Sequence, residues 1–248
     1  DTLYFTANDG TTGSELWKSD GTETGTTLVK DINPGSSGSS PGTLTAVGDN
    51  LYFVASDGTT GHELWRSDGT AAGTTLVKDI NSGPSNSFRL NYSHLSALGN
   101  TLYFTAEIPG TTGVELWKSD GTEAGTSLVK DIRPGFRGSY PDNLTVLGNT
   151  LYFTANNGTT GSELWKSDGT EAGTTLVKDI NSGSFSSSPS NLATVGNTLY
   201  FSAKQELWQS DGTEAGTNLV ADINPDLGRE RPGDLTVMGN TLFFTADD

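Results

Sequence analysis

Short apolar stretches alternate along the chain with turns rich in glycine, aspartate and threonine. In one representative unit the stretches are residues 44–47, 51–55, 63–66 and 75–80, here named strands A, B, C and D. They are rich in β-branched and aromatic residues, and none shows the 3.6-residue period of an amphipathic helix. The pattern predicts four short β-strands per unit and essentially no helix.

The same unit recurs along the whole chain. The tripeptide Glu-Leu-Trp continues each time into Ser-Asp-Gly-Thr-x-x-Gly-Thr and then Leu-Val-(Lys/Ala)-Asp-Ile. Its five tryptophans are Trp17, Trp65, Trp117, Trp165 and Trp208. Repeats of this length indicate stacked supersecondary units.

The connections predict how the strands of one unit are arranged. A–B and C–D are joined by tight turns, B–C by a longer hairpin, and only the D-to-A link is long. Four-stranded meanders joined by crossovers are typical of a β-propeller blade. We therefore predict one domain over residues 1–248, a propeller of five four-stranded antiparallel blades.

Strand B is present once too often for a simple ring. Strands A, C and D occur five times, whereas B occurs six times, so residues 3–5 and 242–244 compete for one position. One copy could be displaced, two chains could exchange strands, or the chain could be cut from a longer array. We favour five blades, with the duplication marking an excision point in a larger repeat protein.

The motif itself resembles a known family. The string Glu-Leu-Trp-Lys-Ser-Asp-Gly-Thr-Glu-Ala-Gly-Thr at residues 163–174 is similar to the bacterial ELW-x-x-DGT repeat, and related strings begin at the other four Glu-Leu-Trp copies. That family is associated with secreted or surface proteins of bacteria. The resemblance implies an extracellular or cell-surface location and a repeat architecture, but no particular chemistry.

Composition excludes several classes of function. The formal charge is −16, from 30 acidic and 14 basic residues, which argues against nucleic-acid binding. There is no cysteine, and no apolar run approaches the roughly 18 residues needed to insert into a membrane. We found no catalytic motif, and the predicted inner strands carry no acid. We therefore predict a protein that is not an enzyme.

One candidate site lies just before the A strands. The polar side chains there differ between units, and in a propeller they would surround the mouth of the central channel. We predict that they bind a ligand or cap the crossover loops: Thr43, His94, Asn143, Asn191, Asp234 and the adjoining Asp142.

The D-to-A links form a second candidate site, because they carry most of the variation between units. Aromatic and arginine side chains suit protein contacts and glycan stacking, although the aromatics could instead pack between blades. The predicted ligand-binding residues are Phe88, Arg89, Tyr92, Phe136, Arg137 and Tyr140. The links also contain Arg133, Phe185, Arg229 and Arg231.

Three repeated residue types have a structural and a functional interpretation. The Ser-Asp-Gly-Thr aspartates could hold their own turns or help bind calcium: Asp20, Asp68, Asp120, Asp168 and Asp211. The glutamate of each Glu-Leu-Trp could pair with a strand-D lysine or cap a loop. The tryptophans could form a sugar-stacking platform, but we favour core packing.

These observations lead to a ranked set of functions. The first is a non-enzymatic secreted module that recognises carbohydrate or a cell-surface polymer through the face carrying the B–C and D-to-A loops. The second is a structural or assembly segment that contacts other proteins, with oligomerisation through the surplus strand. A glycoside-acting enzyme using Asp142 or Asp234 is the remote third. No cofactor is predicted other than calcium.

Overall fold

A computed structural model describes residues 2–89, 94–223 and 232–246 of the chain. Its regular elements there are 21 β-strands, and no described residue is helical. The strands are β1 Leu3–Asn8, β2 Ser14–Ser19, β3 Thr27–Lys30, β4 Gly42–Val47, β5 Asn50–Ser56, β6 His62–Ser67, β7 Thr75–Lys78, β8 Leu95–Leu98, β9 Thr101–Ile108, β10 Gly113–Ser119, β11 Ser127–Lys130, β12 Asp142–Leu147, β13 Thr150–Asn156, β14 Ser162–Ser167, β15 Thr175–Lys178, β16 Ser190–Val195, β17 Thr198–Ala203, β18 Glu206–Ser210, β19 Asn218–Ala221, β20 Gly233–Met238 and β21 Thr241–Thr245.

The strands form six antiparallel sheets in chain order. We name them sheet 1 (β1-β2-β3), sheet 2 (β4-β5-β6-β7), sheet 3 (β8-β9-β10-β11), sheet 4 (β12-β13-β14-β15), sheet 5 (β16-β17-β18-β19) and sheet 6 (β20-β21). The repeated four-stranded meander confirms the predicted all-β, β-propeller fold. Four sheets are complete, sheet 1 consists of strands B, C and D, and sheet 6 consists of A and B. The number of blades stays a prediction.

The chain divides into two compact units. One contains residues 1–113 and 117–128, and the other contains residues 114–116 and 129–248. Sheets 1 and 2 belong to the first unit, and sheets 4, 5 and 6 belong to the second. The division runs through strands β10 and β11 of sheet 3.

The core of the first unit lies between neighbouring sheets. Leu16, Val29 and Ile32 of sheet 1 and its following link pack against sheet 2. The sheet 2 residues of this cluster are Leu51, Phe53, Ala55 and Trp65. Burial of one such large side chain contributes about 1.5–3 kcal/mol. In the second unit the equivalent cluster joins Leu164 and Val177 of sheet 4 to Leu199, Phe201 and Ala203 of sheet 5.

The Glu-Leu-Trp tryptophans belong to this core. Trp65, Trp117 and Trp165 are 5–6% exposed, while Trp17 and Trp208 are half-buried. Strand register places Phe53 opposite Trp65 and Phe153 opposite Trp165. The packing interpretation therefore describes these rings better than a sugar-stacking platform.

Sheet 5 has an unusually short B–C hairpin. Ala203 pairs with Glu206, so Lys204 and Gln205 alone form the turn, with φ of 51° and 71°. Two positive φ angles define the type I′ turn, which suits the twist of a hairpin and favours Asn-Gly. Lysine and glutamine adopt this conformation at a steric cost. The B–C hairpins of the four preceding sheets are longer.

Candidate functional site

A fully buried glutamate fixes each described D-to-A link to strand C. In sheet 2, Glu63 is 0% exposed, and its Oε2 accepts the Ile80 N–H at 3.1 Å. Its Oε1 accepts the Ser87 N–H at 3.0 Å and the Ser87 hydroxyl at 2.6 Å. Equivalent bonds connect Glu15 to Ser39, Glu115 to Ser139, and Glu163 to Ser187. The glutamate therefore caps a loop.

Burial dominates the electrostatics of this carboxyl group. It raises the pKa of Glu63 and of Glu115 to about 7, although the backbone and serine hydrogen bonds act in the opposite direction. Burial also raises the pKa of Glu163. The strand-D lysine of the sheet that contains Glu63, Lys78, donates instead through its Nζ to the Thr126 carbonyl at 2.9 Å. In sheet 2 the glutamate therefore caps the loop and does not pair with the strand-D lysine.

Lysines bind each of sheets 1–4 to the sheet that follows it. Lys18 Nζ donates to the Gly69 carbonyl at 2.8 Å, and Lys166 Nζ donates to the Gly212 carbonyl at 2.8 Å. The strand-D lysines make a second set of bonds. Lys30, Lys78, Lys130 and Lys178 donate to the carbonyls of Thr74, Thr126, Thr174 and Thr217, respectively. All of these acceptors belong to the Ser-Asp-Gly-Thr turn region of the following sheet. That turn is therefore part of an inter-sheet contact.

The turn aspartates hold their own backbone. Asp68 Oδ1 accepts the Thr70 N–H at 2.8 Å and the Thr70 hydroxyl at 2.7 Å. Gly73 allows this close approach, since a Cβ there would lie 2.1 Å from Asp68 Oδ1. Asp20, Asp120, Asp168 and Asp211 make the same pair of bonds.

The bond to threonine also affects ionisation. The threonine hydroxyl, followed by the backbone N–H, lowers the pKa of Asp20, Asp68, Asp120 and Asp211. Within the described ranges, no group of three histidine, aspartate or glutamate side chains could hold a metal ion. Calcium at these turns stays a prediction.

The residues predicted at the channel mouth occupy a repeated bulge. Register shifts occur between Gly42 and Thr45 and at the same point of β12, β16 and β20. The bulge residues have left-handed φ angles of 51–57°: Thr43, Asn143, Asn191 and Asp234. Asparagine and aspartate tolerate this conformation, whereas a β-branched threonine is strained in it. Their polarity therefore has a local backbone explanation.

The other two residues of this set have local partners. The His94 N–H donates to Thr105 Oγ1 at 3.3 Å, just before β8. Asp142 Oδ1 accepts the Asn143 N–H at 2.6 Å. Whether these side chains also bind a ligand stays a prediction.

The link between sheets 2 and 3 is closed by packing. Phe88 is 1% exposed and stacks on Phe104, with ring centroids 5.5 Å apart. Arg89 forms a two-point ion pair with Glu107, at 2.9 Å from Nε and 2.7 Å from Nη2. Phe88 is therefore a packing residue in this structure. Tyr92 lies outside the described residues, as do Arg229 and Arg231.

The links on either side of sheet 4 present aromatic side chains to solvent. Phe136 is 70% exposed, Phe185 is 71% exposed and Tyr140 is 40% exposed. The Arg137 guanidinium lies 6.0 Å from the centre of the Phe136 ring. This contrast with Phe88 divides the predicted loop residues into a buried and an exposed group.

Both exposed links contact the same B–C hairpin, residues 156–162. A Cβ on Gly158 would lie 3.1 Å from Arg133 Nε, and one on Gly161 would lie 2.6 Å from the Phe185 carbonyl. The two links therefore border one hairpin in the second unit. We name residues 131–141, 156–162 and 179–189 the loop surface.

Clefts lie at the other end of the sheets. A cleft of about 410 Å³ is lined by Tyr152, Lys166, Asp168 and Asp211, among others. A related cleft of about 320 Å³ contains Tyr52 and Asp120. Two Ser-Asp-Gly-Thr turns line the larger cleft, whereas the smaller one is lined mainly by the A–B turn at residues 47–50 and by Asp120.

Comparison with known structures supports the propeller class. The chain is similar to puromycin hydrolase (16% identity, TM-score 0.57, 96% of this chain and 38% of that one). It is also similar to oligopeptidase B from Leishmania major (16%, 0.55, 91% and 32%) and to the computationally designed Ika8 protein (17%, 0.52, 98% and 64%). The chain spans less than two thirds of each of these proteins, and at such identities the similarity concerns the fold alone.

The family can also be stated. Residues 4–245 match the family model described as outer membrane protein assembly factor BamB, and the chain belongs to that family. The narrower resemblance to ELW-x-x-DGT repeats stays a prediction. No curated protein matched the sequence. None of the described residues forms a helix that could cross a membrane.

Proposed function

We propose that this chain is a non-enzymatic protein-interaction module that binds its partner through the loop surface. The observation that carries the proposal is the exposure of Phe136 and Phe185 on two links that border one hairpin. Exposed aromatic and arginine side chains dominate the energetics of protein interfaces. The description of the family as an assembly factor supports the same class of function.

The charge distribution suggests the chemistry of the partner. The net charge is −16, and six of the 14 basic residues direct their Nζ atoms to backbone carbonyls of a neighbouring sheet. These bonds go to neutral carbonyl groups and leave the net charge unchanged, so the electrostatic field of the whole chain is acidic. A partner segment that combines lysine or arginine with apolar side chains is the best complement.

A peptide library displayed on phage tests this proposal directly. We expect enrichment of basic, apolar-containing peptides on the wild-type chain and loss of at least tenfold in their affinity for Phe136→Ser/Phe185→Ser. Met238→Ser is the matched control, because Met238 is 68% exposed on sheet 6 and outside the loop surface. Enriched peptides that bind the double variant as well as the wild type would contradict the proposal.

Carbohydrate is the second candidate ligand. The cleft lined by Tyr152, Lys166 and Asp211 offers an aromatic ring and charged groups in a volume that suits a small sugar. A glycan array with the purified chain in calcium buffer tests it. Selective binding that Phe136→Ser/Phe185→Ser leaves intact would assign the sugar to the cleft, whereas loss would assign it to the loop surface. No selective binding would remove carbohydrate as a ligand.

The acidic side chains that could act in catalysis are engaged in local hydrogen bonds. The glutamate of each described Glu-Leu-Trp accepts backbone N–H groups, and Asp142 accepts the N–H of its neighbour Asn143. These bonds support the proposal that the protein is not an enzyme. We propose an extracellular or cell-surface location, consistent with a family described by an outer membrane factor. Protease treatment of intact cells that express the natural protein would test this, and full protection would contradict it.

A further inference from the structure

Two tyrosines of strand B are buried in the walls of the two clefts at the Ser-Asp-Gly-Thr end of the sheets. Tyr52 is 4% exposed and lines the smaller cleft, and Tyr152 is 5% exposed and lines the larger one. Neither phenol hydroxyl makes a hydrogen bond with any residue that the structure describes. Buried hydroxyl groups normally have such a partner. Each tyrosine therefore offers its cleft a hydrogen-bonding group that the chain itself does not use.

In the larger cleft the tyrosine hydroxyl lies beside a charged aspartate. A Cβ on Gly212 would lie 2.1 Å from Tyr152 Oη, so the hydroxyl packs against the turn that follows β18. Asp211 precedes this glycine and lines the same cleft. The Thr213 hydroxyl and N–H lower the pKa of Asp211, and both bind its Oδ1. Asp211 Oδ2 makes no hydrogen bond within the described part of the chain, so an ionised oxygen faces the neutral hydroxyl.

The smaller cleft repeats this arrangement in the first unit. A Cβ on Gly121 would lie 2.2 Å from Tyr52 Oη, and Asp120 lines the cleft together with this tyrosine. The Thr122 hydroxyl and N–H bind Oδ1 of Asp120 and lower its pKa. The exposed Asp49 adds a second carboxylate. The pairing of a buried tyrosine with a turn aspartate therefore occurs in both compact units.

The charges of both clefts favour a cationic ligand. Two aspartates and one basic residue border each cleft: Asp168, Asp211 and Lys166 at the larger one, and Asp49, Asp120 and Arg66 at the smaller one. Each cleft is therefore net negative, which repels phosphate, sulfate and carboxylate groups and attracts an ammonium group. Calcium and magnesium fit less well, because a protonated phenol is not one of their usual oxygen ligands.

The remaining lining suits a ligand with several hydroxyl groups. Threonine and serine side chains line the larger cleft, and Asn50 and Asn100 line the smaller one. These groups donate and accept hydrogen bonds, as the ring hydroxyls of a sugar do. The volumes of about 410 and 320 Å³ lie in the range of small-molecule sites.

We propose that both clefts bind amino sugars, with the ammonium group on the turn aspartate and a ring hydroxyl on the buried tyrosine. The proposal rests on carbohydrate, the second candidate of the proposed function, and names the class of sugar. In the larger cleft, Asp211 Oδ2 accepts a hydrogen bond from the ammonium group and Tyr152 Oη binds a ring hydroxyl. The charged bond is the stronger of the two, so the ammonium group contributes most to recognition.

An amide NMR titration with glucosamine tests each cleft separately, because Gly121 and Gly212 report on different sites. N-acetylglucosamine is the matched ligand, since it keeps the ring and loses the charge. At pH 6 we expect glucosamine to bind both clefts about tenfold more tightly than N-acetylglucosamine. Equal affinities would overturn this proposal and leave carbohydrate binding intact. No binding of any sugar, in the titration and on the glycan array, would overturn both and leave the loop surface untouched.

Asp211→Asn removes the charge and keeps the turn. Asparagine can hold such a turn, because Asn157 Oδ1 accepts the Thr159 N–H and hydroxyl, both at 2.9 Å. We expect about tenfold weaker binding of glucosamine at the larger cleft and no change at the smaller one. Asp57→Asn is the control, since Asp57 accepts the same pair of bonds outside both clefts. An unchanged affinity in Asp211→Asn, or an equal loss in the control, would overturn the proposal.

Tyr152→Phe tests the hydroxyl while the ring keeps its packing. Because this hydroxyl has no partner within the described residues, we expect an unchanged Tm and about threefold weaker binding of glucosamine at the larger cleft. An unchanged affinity would remove the tyrosine from the site. Ethylamine separates a sugar site from a site for any amine: we expect at least about tenfold weaker binding than for glucosamine, and equal affinity would overturn the assignment to a sugar.

Discussion

Glu63→Gln examines whether the buried loop-capping carboxyl is protonated in the folded protein near neutral pH. Burial raises the pKa of Glu63 to about 7, from an ordinary value of 4.5. The folded state then binds the proton more tightly than the unfolded state. The stability that this proton contributes is fully present below pH 4.5 and is lost as the pH rises to about 7.

The magnitude follows from the difference between the two pKa values. A difference of about 2.5 corresponds to about 3.4 kcal/mol in the free energy of unfolding. For a domain of this size, that is roughly 7–14 °C in Tm. Glu115 has the same raised pKa and should add a similar decrease. We therefore expect the Tm of the wild type to fall between pH 5 and pH 8.

Glutamine removes the titration but keeps the shape. Its amide nitrogen cannot accept a hydrogen bond, so Glu63→Gln should lose about 1–3 kcal/mol relative to the wild type at pH 5. At pH 8 this deficit should shrink or reverse, because only the wild type has to ionise a buried group. The assay is thermal unfolding of both proteins at pH 5, 6, 7 and 8.

The exposed Glu123→Gln is the matched control and should follow the wild type at every pH. A difference between wild type and Glu63→Gln that stays constant or grows from pH 5 to pH 8 would refute the reasoning. That result would mean that the hydrogen bonds from Ile80 and Ser87 keep the carboxylate ionised throughout.

Three further outcomes are expected. Thr43→Asn should raise the free energy of unfolding by about 1 kcal/mol, since Thr43 has φ of 55°, and Asn143→Thr should lower it by a similar amount; equal denaturation midpoints would contradict this. Lys204→Asn/Gln205→Gly should raise the free energy of unfolding in urea by about 1–2 kcal/mol, because Asn-Gly suits a type I′ turn. A lower free energy of unfolding would contradict this interpretation of the turn. Exchange of calcium for a chelator should move Tm by less than about 1 °C, because Oδ1 of Asp68 is already engaged; a larger decrease would reveal a stabilising metal site.

Much of the fold was predictable because the turns recur with the strands. The predicted limits of strand B in sheet 2, residues 51–55, lie within Asn50–Ser56. Strand D ends earlier than predicted, at Lys78, because the Ile80 N–H binds the Glu63 carboxylate and leaves the ladder. Strand A begins earlier, at Gly42, because the bulge at Thr43 interrupts the alternation on which the prediction depends.

The candidate site was only partly predictable. The sequence showed that a glutamate recurs, but it left a lysine pair and a loop cap as alternatives. A signal was present, because a serine follows the glutamate after 24 residues in four units. The same spacing separates Phe88, which directly follows Ser87, from Phe136, which lies three residues before Ser139. Spacing alone does not predict burial, because Tyr140 follows Ser139 and is 40% exposed, whereas Phe88 is covered by Phe104.

The lysine bonds between sheets have a consequence for how the protein comes apart. Each bond ties the backbone of one sheet to a side chain of the sheet before it, so a sheet that opens releases its neighbour as well. Sheet 6 consists of strands A and B only and has no Ser-Asp-Gly-Thr turn to accept such a bond. Amide hydrogen exchange should therefore be fastest in sheet 6 and slower in sheet 5, which Lys166 and Lys178 still hold from the sheet before. The order of opening thus depends on which sheets receive lysine bonds as well as on the number of strands.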